Sequence, residues 1–320
     1  MPQIAGESIT LFTGNANPAL AREVADYLGL PLGDVQLGRF ADGEVRVTIG
    51  ESVRGKHVYV IQSLCKPVND NVMEMLVMID ALRRSSSKSI TAVLPYYAYA
   101  RQDRQDRPRT PITARLVADL LRAAGVDRVM AMDLHAQQIQ GFFSVPVEHL
   151  YATKNIVKIM ETVSGGHQDE CIVVAPDAGG VERARFISNR FGSGLAIIDK
   201  RRPRPNVSEV MHVIGEVAGK HCYIVDDMID TAGTLCSAAK ALKQGGARNV
   251  YAFATHGLFN GPAVERIEAS DLDAVYVSNT IPLSDAAVAC PRIHTVGVGD
   301  IIGEAISRVQ QESSVSSLWV

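Results

Sequence analysis

Two tandem doubly wound α/β domains, each built on a parallel sheet, are the fold class that three observations in this 320-residue sequence predict. Short runs rich in Val and Ile stop abruptly at polar residues, as strands buried on both faces do. Segments with apolar residues at helical spacing lie between them. The alternation pauses and restarts after Leu150, so the chain divides into residues 1–150, joined by the C-terminal helix of about 299–320, and residues 151–298.

The strand candidates are Ile9–Thr13, His57–Gln62, Ile90–Pro95, Val129–Asp133, Cys171–Pro176, Leu195–Asp199, Cys222–Asp226 and Val250–Thr255. After the first, Asn17 is placed to cap a helix with Pro18 at its first position; Leu20, Val24 and Leu28 recur on one face, and Gly29 ends it. Asp42-Gly43 reads as a hairpin turn between 38–41 and 44–49. Thr113 to Gly125 is a second helix, with Leu116, Leu120 and Ala124 on one face. The polar stretch SGGHQDE at 164–170 follows the restart, and a last helix spans about Gly299 to Glu312. In such sheets ligands bind outside the carboxyl ends of the strands, where the polar motifs of this chain collect.

Composition narrows the function classes. A net charge of −3 argues against a broad nucleic-acid surface. No apolar run approaches the roughly 18 residues of a membrane helix, and the first residues lack a basic flank and long apolar stretch, which points to the cytoplasm. The five cysteines are scattered and never form a CxxC pair, so they read as buried filler.

Two phosphate-loop decoys fall away. GESVRGKH at 50–57 nearly spells a Walker A loop, but His57 stands where Ser or Thr must meet Mg²⁺, and the segment precedes a strand. Gly297, Gly299 and Gly303 have the wrong spacing for a dinucleotide fingerprint and read as a strand-to-helix turn.

The chemistry concentrates in VDDMIDTAGT, Val225 to Thr234. A buried strand delivers Asp226 and Asp227, and Asp230, Thr231, Ala232, Gly233 and Thr234 then open a helix running to about Gln244. Backbone N–H groups at a helix start and two threonine hydroxyls can hold a phosphate without lysine. The paired carboxylates would repel that phosphate, so they suit the 2- and 3-hydroxyls of a ribose, or indirect Mg²⁺ binding. A helix merely capped by Asp230 or Thr231 is the plainer alternative.

This segment resembles the signature of type I phosphoribosyltransferases and their relatives. DLHAQQIQGFF at 133–143, YARQDR at 99–104, PDAGG at 176–180 and DKRRPR at 199–204 resemble the motifs of ribose-phosphate pyrophosphokinases of the phosphate-activated class. The resemblance implies two domains of phosphoribosyltransferase type I fold. It also implies a reaction: the C1 hydroxyl of ribose 5-phosphate attacks the β-phosphorus of Mg-ATP, the diphosphoryl group moves intact, and AMP leaves. The product, phosphoribosyl pyrophosphate, feeds nucleotide, histidine and tryptophan biosynthesis.

The resemblance assigns roles residue by residue. Lys200 and Arg202 become the catalytic cations, on a basic loop with Arg201 and Arg204 that Pro203 and Pro205 keep out of a helix. Phe40, Asp42 and Glu44, from a neighbouring subunit, bind adenine, and Arg101, Gln102, Asp103 and His135 bind the rest of ATP. Asp226, Asp227 and Asp230 to Thr234 hold ribose 5-phosphate, while Asp177, Ala178, Gly179 and Gly180 hold the pyrophosphate, with the glycines also readable as an anion nest. His135 and Asp177 are the metal-site residues and Mg²⁺ the cofactor. A homo-oligomer, usually a hexamer, is implied. So are phosphate and ADP as effectors, at Arg83 to Ser87 and Ser314 to Trp319; Ser144 departs from the Asp that many relatives carry after GFF. Competing readings are a phosphoribosyltransferase, which needs no ATP site, a non-catalytic nucleotide binder, and RNA binding through Arg101 to Arg109.

Overall fold

The structure is a computed structural model that describes residues 9–201 and 210–319. It divides into two compact units: residues 1–151 with 280–282 and 298–320, and residues 152–279 with 283–297.

In the first unit, β1 (Ile9–Thr13) leads into α1 (Pro18–Leu28). The Asn17 side chain accepts the Leu20 N–H at 3.3 Å, and Gly29 closes the helix at φ 66°. This left-handed C-cap is open to glycine without steric cost. The hairpin β2 (Val35–Arg39) and β3 (Val45–Ile49) is antiparallel, with Arg39 opposite Val45. Then come β4 (His57–Ile61), α2 (Val68–Arg84), β5 (Ser89–Leu94), α3 (Thr113–Ala124), β6 (Arg128–Met132) and β7 (Val147–Leu150). Strands β1, β4, β5, β6 and β7 lie side by side in that order, all parallel.

Helix α3 forms where expected but turns a different face inward. Ala114, Val117, Ala118 and Leu121 are buried, whereas Leu116 is 55% and Leu120 40% exposed. Apolar residues recur at helical spacing along both stripes, so periodicity alone cannot select the one that meets the sheet.

The second unit runs α4 (Thr153–Ser164), β8 (Cys171–Ala175), α5 (Val181–Phe191), β9 (Gly194–Arg201), β10 (Val210–Ile214), β11 (His221–Ile229), α6 (Gly233–Gln244), β12 (Asn249–Gly257), α7 (Ala263–Glu268), β13 (Ala274–Ser278), α8 (Asp285–Ala289) and β14 (Ile293–Val296). Its seven strands lie in the order β10-β9-β8-β11-β12-β13-β14, antiparallel only between β10 and β9. The chain steps from β8 to β9 on one side and returns to β11 on the other. That reversal is a topological switch point, where loops diverge and leave a crevice. Strands β11 and β12 outrun their sequence limits, to Ile229 and Gly257, because their ladder persists through Met228 opposite His256 and Ile229 opposite Gly257. Below this sheet a core of small and branched residues includes Ile224, Ala238, Leu242, Ala252 and Val275. On its other side Phe253 stacks on Tyr276 at 4.9 Å, and Tyr276 on His294 at 5.0 Å.

The last helix, α9 (Gly299–Gln310), returns to the first unit and packs on α1. A Cβ at Gly303 would stand 2.5 Å from Cδ1 of Tyr27, and one at Gly299 would stand 2.7 Å from Cβ of Glu23. These glycines therefore serve close helix packing. All the cysteines are free, and all but the half-buried Cys236 are buried. No helix among the described residues is long and apolar enough to cross a membrane.

Candidate active site

The switch point of the second unit carries two of the motifs. Asp226 and Asp227 sit inside β11, not just beyond it. Asp227 is buried, and its backbone N–H donates to Oδ1 of Asp226 at 2.8 Å. Burial, and next the Asp227 carboxylate, push Asp226 up to about 8, while the Arg183 guanidinium pulls the other way. Arg183 Nη1 lies 3.3 Å from Asp227 Oδ1 and 3.9 Å from Asp226 Oδ1.

Past the strand, the loop is fastened from the segment after β12. Asn260 donates from its backbone to the Asp230 carbonyl at 3.0 Å and from its side chain to Asp230 Oδ1 at 2.8 Å. Arg266 donates to the Thr231 carbonyl at 2.9 Å. The cap position of α6 is Ala232, at φ 57° and ψ 4°, and not Asp230 or Thr231. A non-glycine residue in the left-handed region is strained, and such strain persists where the surroundings over-determine it. The special backbone conformation thus falls on Ala232 and not on Gly233. The first turn of α6 follows directly, so its helix-start N–H groups lie beside this turn, where an anion is favoured.

After β8, Asp177 Oδ1 accepts the Gly180 N–H at 3.0 Å, and Gly180 stays in helical conformation at φ −83° and ψ −3°. PDAGG is therefore an Asp-closed turn that starts α5, with Ala178 and Gly179 exposed. One oxygen of Asp177 is engaged in holding the turn.

Lys200 lies in the backbone of β9, opposite Met211 of β10. The strand carries two residues past Asp199, so Lys200 and Arg201 are on a ladder, not in the loop. Arg202, with Pro203, Arg204 and Pro205, lies outside the described residues.

In the first unit, two loops at the carboxyl ends of β5 and β6 are tied together. Gln138 donates to Asp103 Oδ2 at 2.7 Å, which joins the Arg101–Arg104 turn to the segment carrying His135. Gln102 fixes the start of α3: its carbonyl accepts the Ala114 N–H at 3.2 Å and its side chain accepts from Thr113 Oγ1. Arg101 is exposed, following Tyr99 at φ 61°. Asp133 is buried at φ 40°, and the next N–H, of Leu134, donates to Nε2 of the buried His149 at 3.0 Å. His135 is exposed, which disposes of a core-packing role.

Phe40, Asp42 and Glu44 form the tip of the β2–β3 hairpin. Phe40 is 52% exposed, with the Arg46 guanidinium 5.9 Å from its ring centroid. Asp42 Oδ1 accepts the Glu44 N–H at 3.1 Å, and Gly43 turns the chain at φ 94°.

Arg183, Asn260, Arg266, Gln138 and His149 were not singled out from sequence. Only Arg183 left a signal: a cation in the first turn of a helix, against the helix dipole, right after PDAGG.

A carboxylate pair and a helix start at a switch point define a class of protein that handles phosphoribosyl groups. Family comparison agrees: the N-terminal domain of ribose phosphate pyrophosphokinase matches residues 9–125, and the phosphoribosyl synthetase-associated domain matches residues 201–320. The ribose-phosphate pyrophosphokinase of Chromobacterium violaceum is 52% identical over 314 residues, covering 98% of this chain and 95% of its own. That of Aquifex aeolicus is 52% identical over 319 residues, covering 97% and 99%. The crystal structure of phosphoribosylpyrophosphate synthetase from Mycobacterium smegmatis superposes with a TM-score of 0.90 at 41% identity, over 96% of this chain and 100% of that one. The chain belongs to the ribose-phosphate pyrophosphokinase family, with its two-domain phosphoribosyltransferase type I fold.

Proposed function

We propose that this chain is a ribose-phosphate diphosphokinase that passes the β,γ-diphosphoryl group of ATP to the C1 hydroxyl of ribose 5-phosphate, releasing AMP. The observation that carries the reading is the loop from Asp226 to Thr234, with two adjacent carboxylates followed by a helix start. The helix-start N–H groups and Thr231 and Thr234 take the 5-phosphate, and Asp226 and Asp227 accept hydrogen bonds from the ribose hydroxyls. Arg101, Gln102, Asp103 and His135 take the nucleotide, with the Gln138–Asp103 bond holding their loops in register. The turn from Asp177 to Gly180 receives the transferred group. Lys200 and Arg202 offset the negative charge that builds on the diphosphoryl group in the transition state.

Mg²⁺ fits this donor set. It prefers oxygen, keeps several waters and takes one or two carboxylates plus substrate phosphates. Asp177 offers a carboxylate of the kind that suits the ion. His135, as a nitrogen donor, suits a phosphate hydrogen bond better than the metal. When bound, the ion neutralises charge on the transferred phosphates.

A homo-oligomer, a hexamer by family habit with Phe40, Asp42 and Glu44 reaching a neighbour's nucleotide, is supported by the exposure of Phe40 and of Ile112, Leu116 and Leu120. Phosphate and ADP as effectors are supported by a cavity of about 520 Å³ that gathers Arg83, Lys88 and Arg122 beside Ser87. A cytoplasmic setting fits the free cysteines.

The test is to mix protein, Mg-ATP and ribose 5-phosphate and follow AMP and phosphoribosyl pyrophosphate. Lys200→Ala should lower kcat at least about 100-fold with smaller changes in either KM, since its interaction grows in the transition state. No AMP above background refutes the activity for this chain, and an unchanged kcat refutes the role of Lys200.

A further inference from the structure

The carboxylate pair at the switch point poses a physical problem. Asp226 and Asp227 are neighbours in one strand, Asp227 has only 7% of its side chain exposed, and each must turn a lone pair toward the sugar hydroxyls to accept their hydrogen bonds. Two adjacent carboxylates withdrawn from water repel one another and favour sharing a proton, which leaves the pair negatively charged and in need of a partner that fixes its direction. A compensating cation that does not belong to the substrate would remove the conflict.

We propose that Arg183 is that cation: a positioning residue whose guanidinium offsets the negative charge of the Asp226–Asp227 pair and keeps it aimed at the ribose hydroxyls. Its Nη1 lies within 3.3 Å of Asp227 and 3.9 Å of Asp226, so a single nitrogen reaches both carboxylates. The side chain is itself three-quarters buried, at 26% exposure, which holds it against the pair and limits its screening by water. Arg183 stands in the first turn of α5, where the helix dipole disfavours a cation, so its position is explained by the partners it meets and not by helix stability. The same turn begins with Asp177, whose carboxylate closes PDAGG onto Gly180. Arg183 thereby links the turn after β8 to the carboxylates of β11. Asp226 and Asp227 on β11 and Arg183 on α5 thus bear on one another.

This inference rests on the assignment of Asp226 and Asp227 to the ribose hydroxyls, and the test separates the two. Steady-state kinetics are measured at fixed free Mg²⁺ for the wild type, Arg183→Gln, Arg183→Lys, Asp227→Asn and the double variant, with folding checked by circular dichroism. Arg183→Gln should raise KM for ribose 5-phosphate about 10- to 30-fold with KM for ATP changed less than about 2-fold, and Arg183→Lys should recover part of that loss. Preference for ribose 5-phosphate over 2-deoxyribose 5-phosphate should shrink in Arg183→Gln, a readout that loss of general packing would not move. The double variant should be little worse than Asp227→Asn alone, because Arg183 acts through the pair. If Asp227→Asn raises KM for ribose 5-phosphate but Arg183→Gln does not, or if the two losses simply multiply, the role of Arg183 is overturned while the ribose assignment stands. If Asp227→Asn leaves that KM unchanged, both fall. Should Arg183→Gln not fold, the Lys variant carries the comparison, and its equality with wild type in KM and in sugar preference overturns the proposal.

Discussion

Replacing Asp226 with Asn should make the protein more stable and, at the same time, a poorer enzyme. Burial and the Asp227 carboxylate push Asp226 from 3.8 to about 8 in the folded chain. The unfolded chain therefore loses this proton near pH 4, while the folded chain keeps it until about pH 8. Between those limits the unfolded state binds fewer protons, so stability falls as pH rises. At about 1.36 kcal/mol per pH unit, the full displacement would cost roughly 5–6 kcal/mol. Because 36% of the Asp226 side chain meets solvent, screening reduces this, and about 1–3 kcal/mol is the figure expected. Asn cannot ionise and leaves Asp227 with Arg183. The assay is thermal unfolding at pH 5 and pH 8.5, at matched protein concentration and with divalent cations chelated. Asp226→Asn should melt roughly 3–10 °C above wild type at pH 8.5, at about 2–4 °C per kcal/mol, and clearly less above it at pH 5. Equal midpoints at pH 8.5, or a gain that does not grow with pH, would refute the reasoning. The gain should come with a raised KM for ribose 5-phosphate, the usual trade where a binding site holds unfavourable charge.

Two further predictions concern the first unit. Gly303→Ala should cost about 1–3 kcal/mol, because the new methyl would stand 2.5 Å from the Tyr27 ring and must push α9 off α1; a lowered melting temperature with unaltered KM values checks it, and an unchanged midpoint contradicts it. Asp103→Asn should weaken the tie from Gln138 and raise KM for ATP about 3- to 10-fold while sparing that for ribose 5-phosphate. Isothermal titration with a non-hydrolysable ATP analogue measures the binding step directly, and unaltered affinity would show that the 2.7 Å bond is not needed to hold the nucleotide loops.

Much of the architecture was legible because buried parallel strands announce themselves. Each run of Val and Ile named from sequence coincides with a strand, and Asn17, Pro18 and Gly29 bound their helix as local rules require. Strands β7, β10, β13 and β14 were not named. Helix α3 shows the limit of periodicity: it was predicted in place, but Leu116 and Leu120 face outward because both of its stripes are apolar.

The motif from Val225 to Thr234 was determined by the sequence itself, since contiguous residues fold into contiguous chemistry and need no distant partner to be recognised. What surrounds it was decided only in three dimensions. Arg183 lies more than 40 positions earlier, and its meeting with Asp226 and Asp227 depends on β8 and β11 pairing at the switch point. The strain at Ala232 and the anchors from Asn260 and Arg266 likewise depend on the β11–β12 ladder running to Gly257. Chain order carries no record of such neighbours, because the pairing energy that brings them together is spread over whole strands and not written in the residues that meet.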